Sequence, residues 1–163
     1  MVRGLRQRLY FIMIIAEIGL NHLGSPLLAQ KYVDFLCTTD VDGISFQVRE
    51  KEFYLRKEKA GLHLDNNVYV ELSQRIKDSG KKFGVAIADI EKIEFFKSIG
   101  TDFYKIIRND MKNDILARSL IKTGKKVIVS TGLSTALEIK LFLKKHGNNS
   151  NVVINHTQLS YDV

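Results

Sequence analysis

"SGKKFGVAIADIEKIEFFKSIGTDFYKII", residues 79–107, decides the fold. A glycine and two lysines followed by the apolar run "FGVAI" (83–87) read as a helix stop feeding a strand. Asp89 then stands where a helix needs an N-cap, and Ile93, Phe96 and Ile99 recur at helical spacing up to Gly100. Two polar residues later a second apolar run, "FYKII" (103–107), begins. The stretch is a strand, a helix and a strand. Its junction recurs: "SGKKF" (79–83), "IGTDF" (99–103) and "TGKKV" (123–127) each place a glycine, two polar residues and a strand start in that order.

The same unit extends in both directions. Further strands read from "FIMIIAEIG" (11–19), "GISFQV" (43–48), "KVIVST" (126–131) and "VVINHT" (152–157). Continuous apolar runs of this length suit strands covered on both faces, as in parallel sheets. Ser25 can cap a helix that starts at Pro26, with Leu28, Tyr32, Phe35 and Leu36 expected inward. Val68, Leu72 and Ile76 mark another helix stopping near Gly80, and Ile115, Leu116 and Leu120 one that runs to Gly124. Thr135 and Glu138 have capping-box spacing for the last, which ends near Gly147. Six strands joined by five helices, with no GxGxxG and no P-loop, make a parallel α/β sheet. Periodicity alone leaves barrel and open sheet both possible.

The chain's 163 residues suffice for one domain with a proper core. Hydrophobic content of 45% and charged content of 26% are ordinary globular values. Cys37 is the one cysteine, so no internal disulfide forms and a reducing compartment fits. It reads as a small buried hydrophobe on a helix face rather than a nucleophile. The net charge of +7 suggests an anionic partner. The basic residues are dispersed and carry no nucleic-acid motif, so small phosphorylated anions fit better than nucleic acid. The run "REKEFYLRKEK" (49–59) mixes both signs and reads as a solvated loop. "MVRGLRQRLYFIMIIA" has the outline of a signal peptide, but its apolar run is short and lacks a small-residue cleavage site. It reads as a strand in a cytoplasmic protein, not a membrane span, with Met13 as an alternative start.

Polar side chains gather at the C-terminal ends of the strands, where ligands bind in both barrels and open α/β sheets. Glu17, Asn21 and His22 follow the first run, Gln47 and Arg49 the second. Lys105, Arg108 and Asn109 follow the fourth, Ser130 and Thr131 the fifth, and Asn155, His156 and Thr157 the sixth. Glu17 and Lys105 interrupt runs that otherwise read as buried, and an unpaired buried charge is costly. A pair of opposite charges aimed into one cavity accounts for both. Arg49 and Asn109 read as strand-end residues reaching solvent. The turn "STGLST" (130–135) is either a plain strand-to-helix connection or a phosphate cradle.

The stretches "IIAEIGLNHLG" (14–24), "DGISFQ" (42–47), "IGTDFYKI" (99–106), "KKVIVSTGLSTALEI" (125–139) and "INHTQLSY" (154–161) together resemble the sialic acid synthase family. The resemblance implies a parallel (β/α)₈ barrel of TIM type, with about six of its eight units in residues 1–163. It also implies an enzyme condensing phosphoenolpyruvate with an N-acylated amino sugar such as N-acetylmannosamine. In that chemistry a divalent metal, manganese or magnesium, activates the open-chain aldehyde; the enol carbon attacks it, water adds, and phosphate leaves. Carried over by position, Glu17, Asn21 and His22 are the catalytic candidates. Gln47, Lys105, Ser130 and Tyr161 are substrate-binding candidates, with Lys105 and Ser130 on the phosphoenolpyruvate anion.

The match has departures. Ser45 stands where the family's second strand usually carries a lysine, and Ala86 and Ile87 replace a Thr-Pro pair. Arg108 replaces a serine and could substitute as an anion binder; Leu159 replaces an asparagine. The family's seventh and eighth strands, metal-binding histidines and antifreeze-like C-terminal domain are expected beyond Val163, so no metal ligand is assigned within this chain. His22 and His156, on separate strands, make a poor metal pair, and a supporting or structural role is expected of them ahead of metal ligation. With six strands the first and sixth keep unpaired edges, which favour self-association, so a homo-oligomer is expected. The alternative is a noncatalytic, degenerate barrel fragment that binds an anion or a partner chain.

Overall fold

The computed structural model describes residues 13–157, apart from the side chains of Arg108 and Asn109; Leu159 and Tyr161 lie outside the described residues. Each apolar run forms a strand: β1 (Ile15–Gly19), β2 (Gly43–Val48), β3 (Lys82–Ile87), β4 (Phe103–Ile106), β5 (Lys126–Ser130) and β6 (Val152–Asn155). All pairings are parallel, and the strand order is the sequence order. Right-handed crossovers always stepping in one direction place every helix on the same face. The architecture is therefore α/β of the parallel barrel type, as expected, and not an open sheet covered on both faces.

The connections are α1 (Pro26–Cys37), α2 (Lys51–Tyr54), α3 (Asn66–Asp78), α4 (Ile93–Ser98), α5 (Asp114–Lys122) and α6 (Ala136–His146). The expected caps form. The Ser25 hydroxyl accepts from Leu28 N–H ahead of Pro26, and Thr135 and Glu138 close a capping box on α6. Asp89 caps a 3₁₀ turn, Ile90–Lys92, that leads into α4. A sixth helix, α2, was not expected. It forms inside the charged run because Phe53 buries itself beneath it. Two inward faces also differ from the spacing argument. On α1 the buried residues are Ala29 and Val33, while Tyr32 and Phe35 are exposed; on α5 Ile115 is exposed and Ala117 is buried beside Leu116 and Leu120. Small residues let these helices approach the sheet closely, so the larger neighbours turn outward.

Alternation along the strands separates two interiors. Ile44, Phe46 and Val48, Phe83, Val85 and Ile87, Tyr104 and Ile106, and Val127 and Val129 point to the helices and form the main core. Its centre is aromatic: Phe46 and Tyr69 meet edge-on at 5.8 Å, and Tyr69 and Phe96 at 5.2 Å. The opposite face carries Glu17, Ser45, Gln47, Gly84, Ala86, Phe103, Lys105 and Ser130. Phe103 is 1% exposed yet stands apart from the helix-side core. Its ring fills the inner face at the N-terminal end of the strands. A Cβ built on Gly84 would lie 2.1 Å from Phe103 Cζ, and one on Gly43 would lie 3.1 Å from Phe103 Cε1. Glycine at both positions admits the ring.

Because that ring is enclosed, Gly84→Ala is expected to destabilise the fold by about 1–3 kcal/mol, the usual penalty for overpacking. Urea unfolding measures it, and Phe103→Leu in the Gly84→Ala background should recover part of the loss. A neutral Gly84→Ala would show that the ring does not press on Gly84.

Candidate active site

The inner face builds a polar centre from three strands. Ser45 Oγ donates to Glu17 Oε2 at 2.5 Å, and Lys105 Nζ pairs with the same oxygen. Register explains the assembly. Ser45 is the partner of Glu17 across β1 and β2, while Gln47, Ala86 and Lys105 form one row across β2, β3 and β4. Ala86 in the middle of that row is small, which leaves Lys105 a path over it. Lys105 is 15% exposed and Glu17 36% exposed at their side chains, so the pair is partly open rather than sealed. Glu17 lies on an edge strand, which accounts for its exposure. Its second oxygen, Oε1, makes no hydrogen bond among the described residues. Gly19 sits beside it at φ +57°, and this turn breaks the β1–β2 register and brings Glu17 Oε1 and Gln47 Oε1 around one spot.

Ile18, His22 and Gly24 of "IIAEIGLNHLG" serve as scaffold. Ile18 enters the helix-side core. His22 is fully buried; its Nδ1 accepts from Gly24 N–H at 3.0 Å, and its ring packs on Phe46 at 6.1 Å. Phe46 points to the helices, so the structure does not bring His22 to Glu17 and Lys105. Gly24, at φ +73°, presses its backbone on Gly61, whose carbonyl oxygen would lie 1.7 Å from an added Cβ. Asn21 is exposed in the turn, where its N–H donates to Ile18 O.

Ser130 is nearly buried and shares the inner face with Lys105 on the neighbouring strand. The turn after it is a strand-to-helix connection: Thr131 N–H donates to Asn155 O and Gly132 N–H to Thr157 Oγ1. Those two donors are thus committed to β6 and not presented to a phosphate. Arg49 departs from expectation. It is nine-tenths buried, pairing with Glu50 at 2.9 Å and Asp110 at 3.4 Å and lying 5.4 Å from the Phe53 ring centre. It ties β2 to the loop after β4, a role that strand-end position alone did not reveal. Arg108 contributes its backbone to that loop, a 3₁₀ turn at Arg108–Lys112; its side chain and Tyr161 lie outside the described residues.

Metal binding can be tested on the donors present. Among the described residues no group of three or more His, Cys, Asp or Glu converges. His22 is walled in by Phe46, and His156 follows β6 at the opposite edge of the sheet from β1. Residues 13–157 therefore do not fit as the holders of a divalent metal.

Burial pushes the His22 imidazole down from 6.5 to about 4. The unfolded chain then binds the extra proton more readily, so stability is full above pH 6.5 and falls as pH drops toward 4. The gap corresponds to roughly 3 kcal/mol. Urea unfolding from pH 7 to 4 should show this loss in the native chain and a much flatter profile in His22→Gln. Identical profiles would contradict the burial argument.

Comparison with known proteins agrees with this fold. The NeuB family profile matches residues 29–163. N,N'-diacetyllegionaminic acid synthase of Campylobacter jejuni is 25% identical over 91% of this chain and 52% of its own length. The chain spans about half the length of curated relatives it matches. The crystal structure of an N-acetylneuraminic acid (sialic acid) synthetase from Leptospira borgpetersenii, in complex with citrate, superposes with a TM-score of 0.82 at 26% identity, covering 93% of this chain and 56% of that one. A truncated 3-deoxy-D-arabino-heptulosonate 7-phosphate synthase from Thermotoga maritima shares the fold at a TM-score of 0.66 and 14% identity, over 87% of this chain and 50% of its own. With a profile match over most of its length and a carboxylate–lysine centre at the C-terminal ends of its strands, the chain belongs to the NeuB family.

Proposed function

We propose that the chain forms the phosphoenolpyruvate-binding part of a synthase that joins phosphoenolpyruvate to an N-acylated amino sugar, N-acetylmannosamine or a close relative, to give a nonulosonic acid. The observation that carries this reading is the meeting of Glu17, Ser45 and Lys105 on the inner face of a NeuB-family barrel. Lys105 and Ser130 hold the anion, with Arg108 and Tyr161 as further contacts, and Gln47 and Asn21 face the sugar. The enol carbon forms a bond to the aldehyde carbon, and water adds to the cationic carbon left behind. The bond from that carbon to the phosphate oxygen then breaks. Water gives up two protons in all, one as it adds and one as its hydroxyl becomes the new carbonyl; the aldehyde oxygen takes one and the departing phosphate the other, so a single carboxyl group can serve in turn as base and acid. In this reading Glu17, whose Oε1 makes no hydrogen bond among the described residues, takes that role. A divalent metal would polarise the aldehyde in the family's chemistry; no step is assigned to it, because residues 13–157 do not fit as its ligands. A cytoplasmic, homo-oligomeric enzyme is part of this reading.

A second reading, a noncatalytic module that binds an anion or a partner chain, is favoured by one observation. Ser45 occupies the place of the family's second lysine and spends its hydroxyl on Glu17.

Titration of ¹⁵N-labelled chain with phosphoenolpyruvate is expected to shift the backbone signals of Lys105 and Ser130 together, and Lys105→Met to weaken binding at least tenfold. The described residues, 13–157, hold six of the eight strands such a barrel uses, and the 163-residue chain is the protein to assay. It is therefore expected to release no phosphate when N-acetylmannosamine and manganese are added. Response of surface lysines alone would remove the site; phosphate release by a monomer would show that six strands suffice.

A further inference from the structure

Ser45 stands where the family's second strand usually carries a lysine, and its surroundings give it a task of its own. It is fully buried, and its Oγ donates to Glu17 Oε2 at 2.5 Å. Lys105 Nζ pairs with that same oxygen, so two donors converge on one carboxylate oxygen and Oε1 takes neither. The two donors differ in freedom. Ser45 is fixed by strand pairing on both sides, to Glu17 and to Gly84, and its side chain turns about a single bond. Lys105 reaches the carboxylate from the end of a flexible four-carbon stem and is partly exposed.

Charge decides which donor keeps Glu17 when an anion arrives. The row across β2, β3 and β4 is Gln47, Ala86 and Lys105, so Lys105 is the cation that this row offers. Phosphoenolpyruvate carries a carboxylate and a phosphate, and Lys105 turning to it brings like charge toward Glu17. Repulsion then drives Glu17 from its place unless a second donor holds it. The Ser45 hydroxyl is neutral, so the anion does not draw it away. A lysine at position 45 would turn to the anion along with Lys105, and Glu17 would lose both partners.

We infer that Ser45 is a positioning residue, which holds Glu17 in its present orientation after Lys105 turns to the anion and so keeps Oε1 for the reacting groups. Its part in the reaction rests on the phosphoenolpyruvate reading above; the hold on Glu17 does not. Three-bond couplings in chain carrying ¹³C-labelled glutamate read the Glu17 side-chain rotamer. Lys105→Met withdraws the lysine without any ligand, and Glu17 should keep one rotamer there. Ser45→Ala alone should keep it too, held by Lys105. The double variant should lose it, its couplings collapsing to the average of several rotamers. Saturating phosphoenolpyruvate should then leave one rotamer in the native chain and several in Ser45→Ala. A merely structural serine would disturb Glu17 equally with and without the anion. One rotamer surviving in the double variant, or lost in Lys105→Met alone, would overturn the inference. Phosphoenolpyruvate that leaves the Lys105 signals unmoved would remove the reading of the site instead, and the three variants would still decide whether Ser45 holds Glu17.

Discussion

The curvature on which the rest of the molecule depends shows most directly in the ion pair between Glu17 and Lys105. The two residues stand on β1 and β4, separated by three strand spacings. In a flat sheet that separation is about 14 Å between backbones, and two side chains pointing the same way would not meet. Their contact requires the sheet to curl with this face inward. The same curl lets Phe103 on β4 cover Gly43 on β2, so a ring closes the N-terminal half of the inner face. Polar groups are left at the C-terminal half. Curvature, a hydrophobic plug and a polar mouth are thus one arrangement, and the mouth is where this class of fold carries chemistry.

The motif "IIAEIGLNHLG" divides its labour by the geometry of a strand and a turn. Glu17 and Ile18 point to opposite faces, one to the polar mouth and one to the core. Gly19 breaks the register, and the following turn buries His22 as a neutral brace that accepts from Gly24 N–H. Gly24 then allows the turn to lie against Gly61, and Ser25 with Pro26 starts α1. Most of the motif builds the support for one carboxylate. Membership of the NeuB family rests on residues 29–163, but the chemistry proposed for the chain rests on this short segment ahead of them and on Lys105.

Much of this was legible in the sequence. Strands showed as apolar runs, and glycine junctions and caps marked the helix ends. Glu17 and Lys105 stood out because a charge inside an apolar run needs a reason. Strand order was not legible from periodicity, since barrel and open sheet share the same alternation; the family resemblance supplied it. Helix faces failed where small residues decide contact, as with Ala29 and Val33 against the larger Tyr32 and Phe35. Arg49 was misread because burial of an arginine depends on partners distant in sequence, Asp110 above all. His22 gave no sign of which face its ring would take, because the residues of a turn lack the two-residue alternation of a strand.

The central claim is that Glu17 and Lys105 meet across the curled sheet, and a double-mutant cycle with Glu17→Gln and Lys105→Met tests it most directly. A partly buried pair that the curvature brings into contact should show a coupling of about 1–2 kcal/mol in unfolding free energy, above the value usual for exposed pairs. Additive effects within about 0.3 kcal/mol would mean that the two side chains do not interact, and the account of the inner face would fall with them.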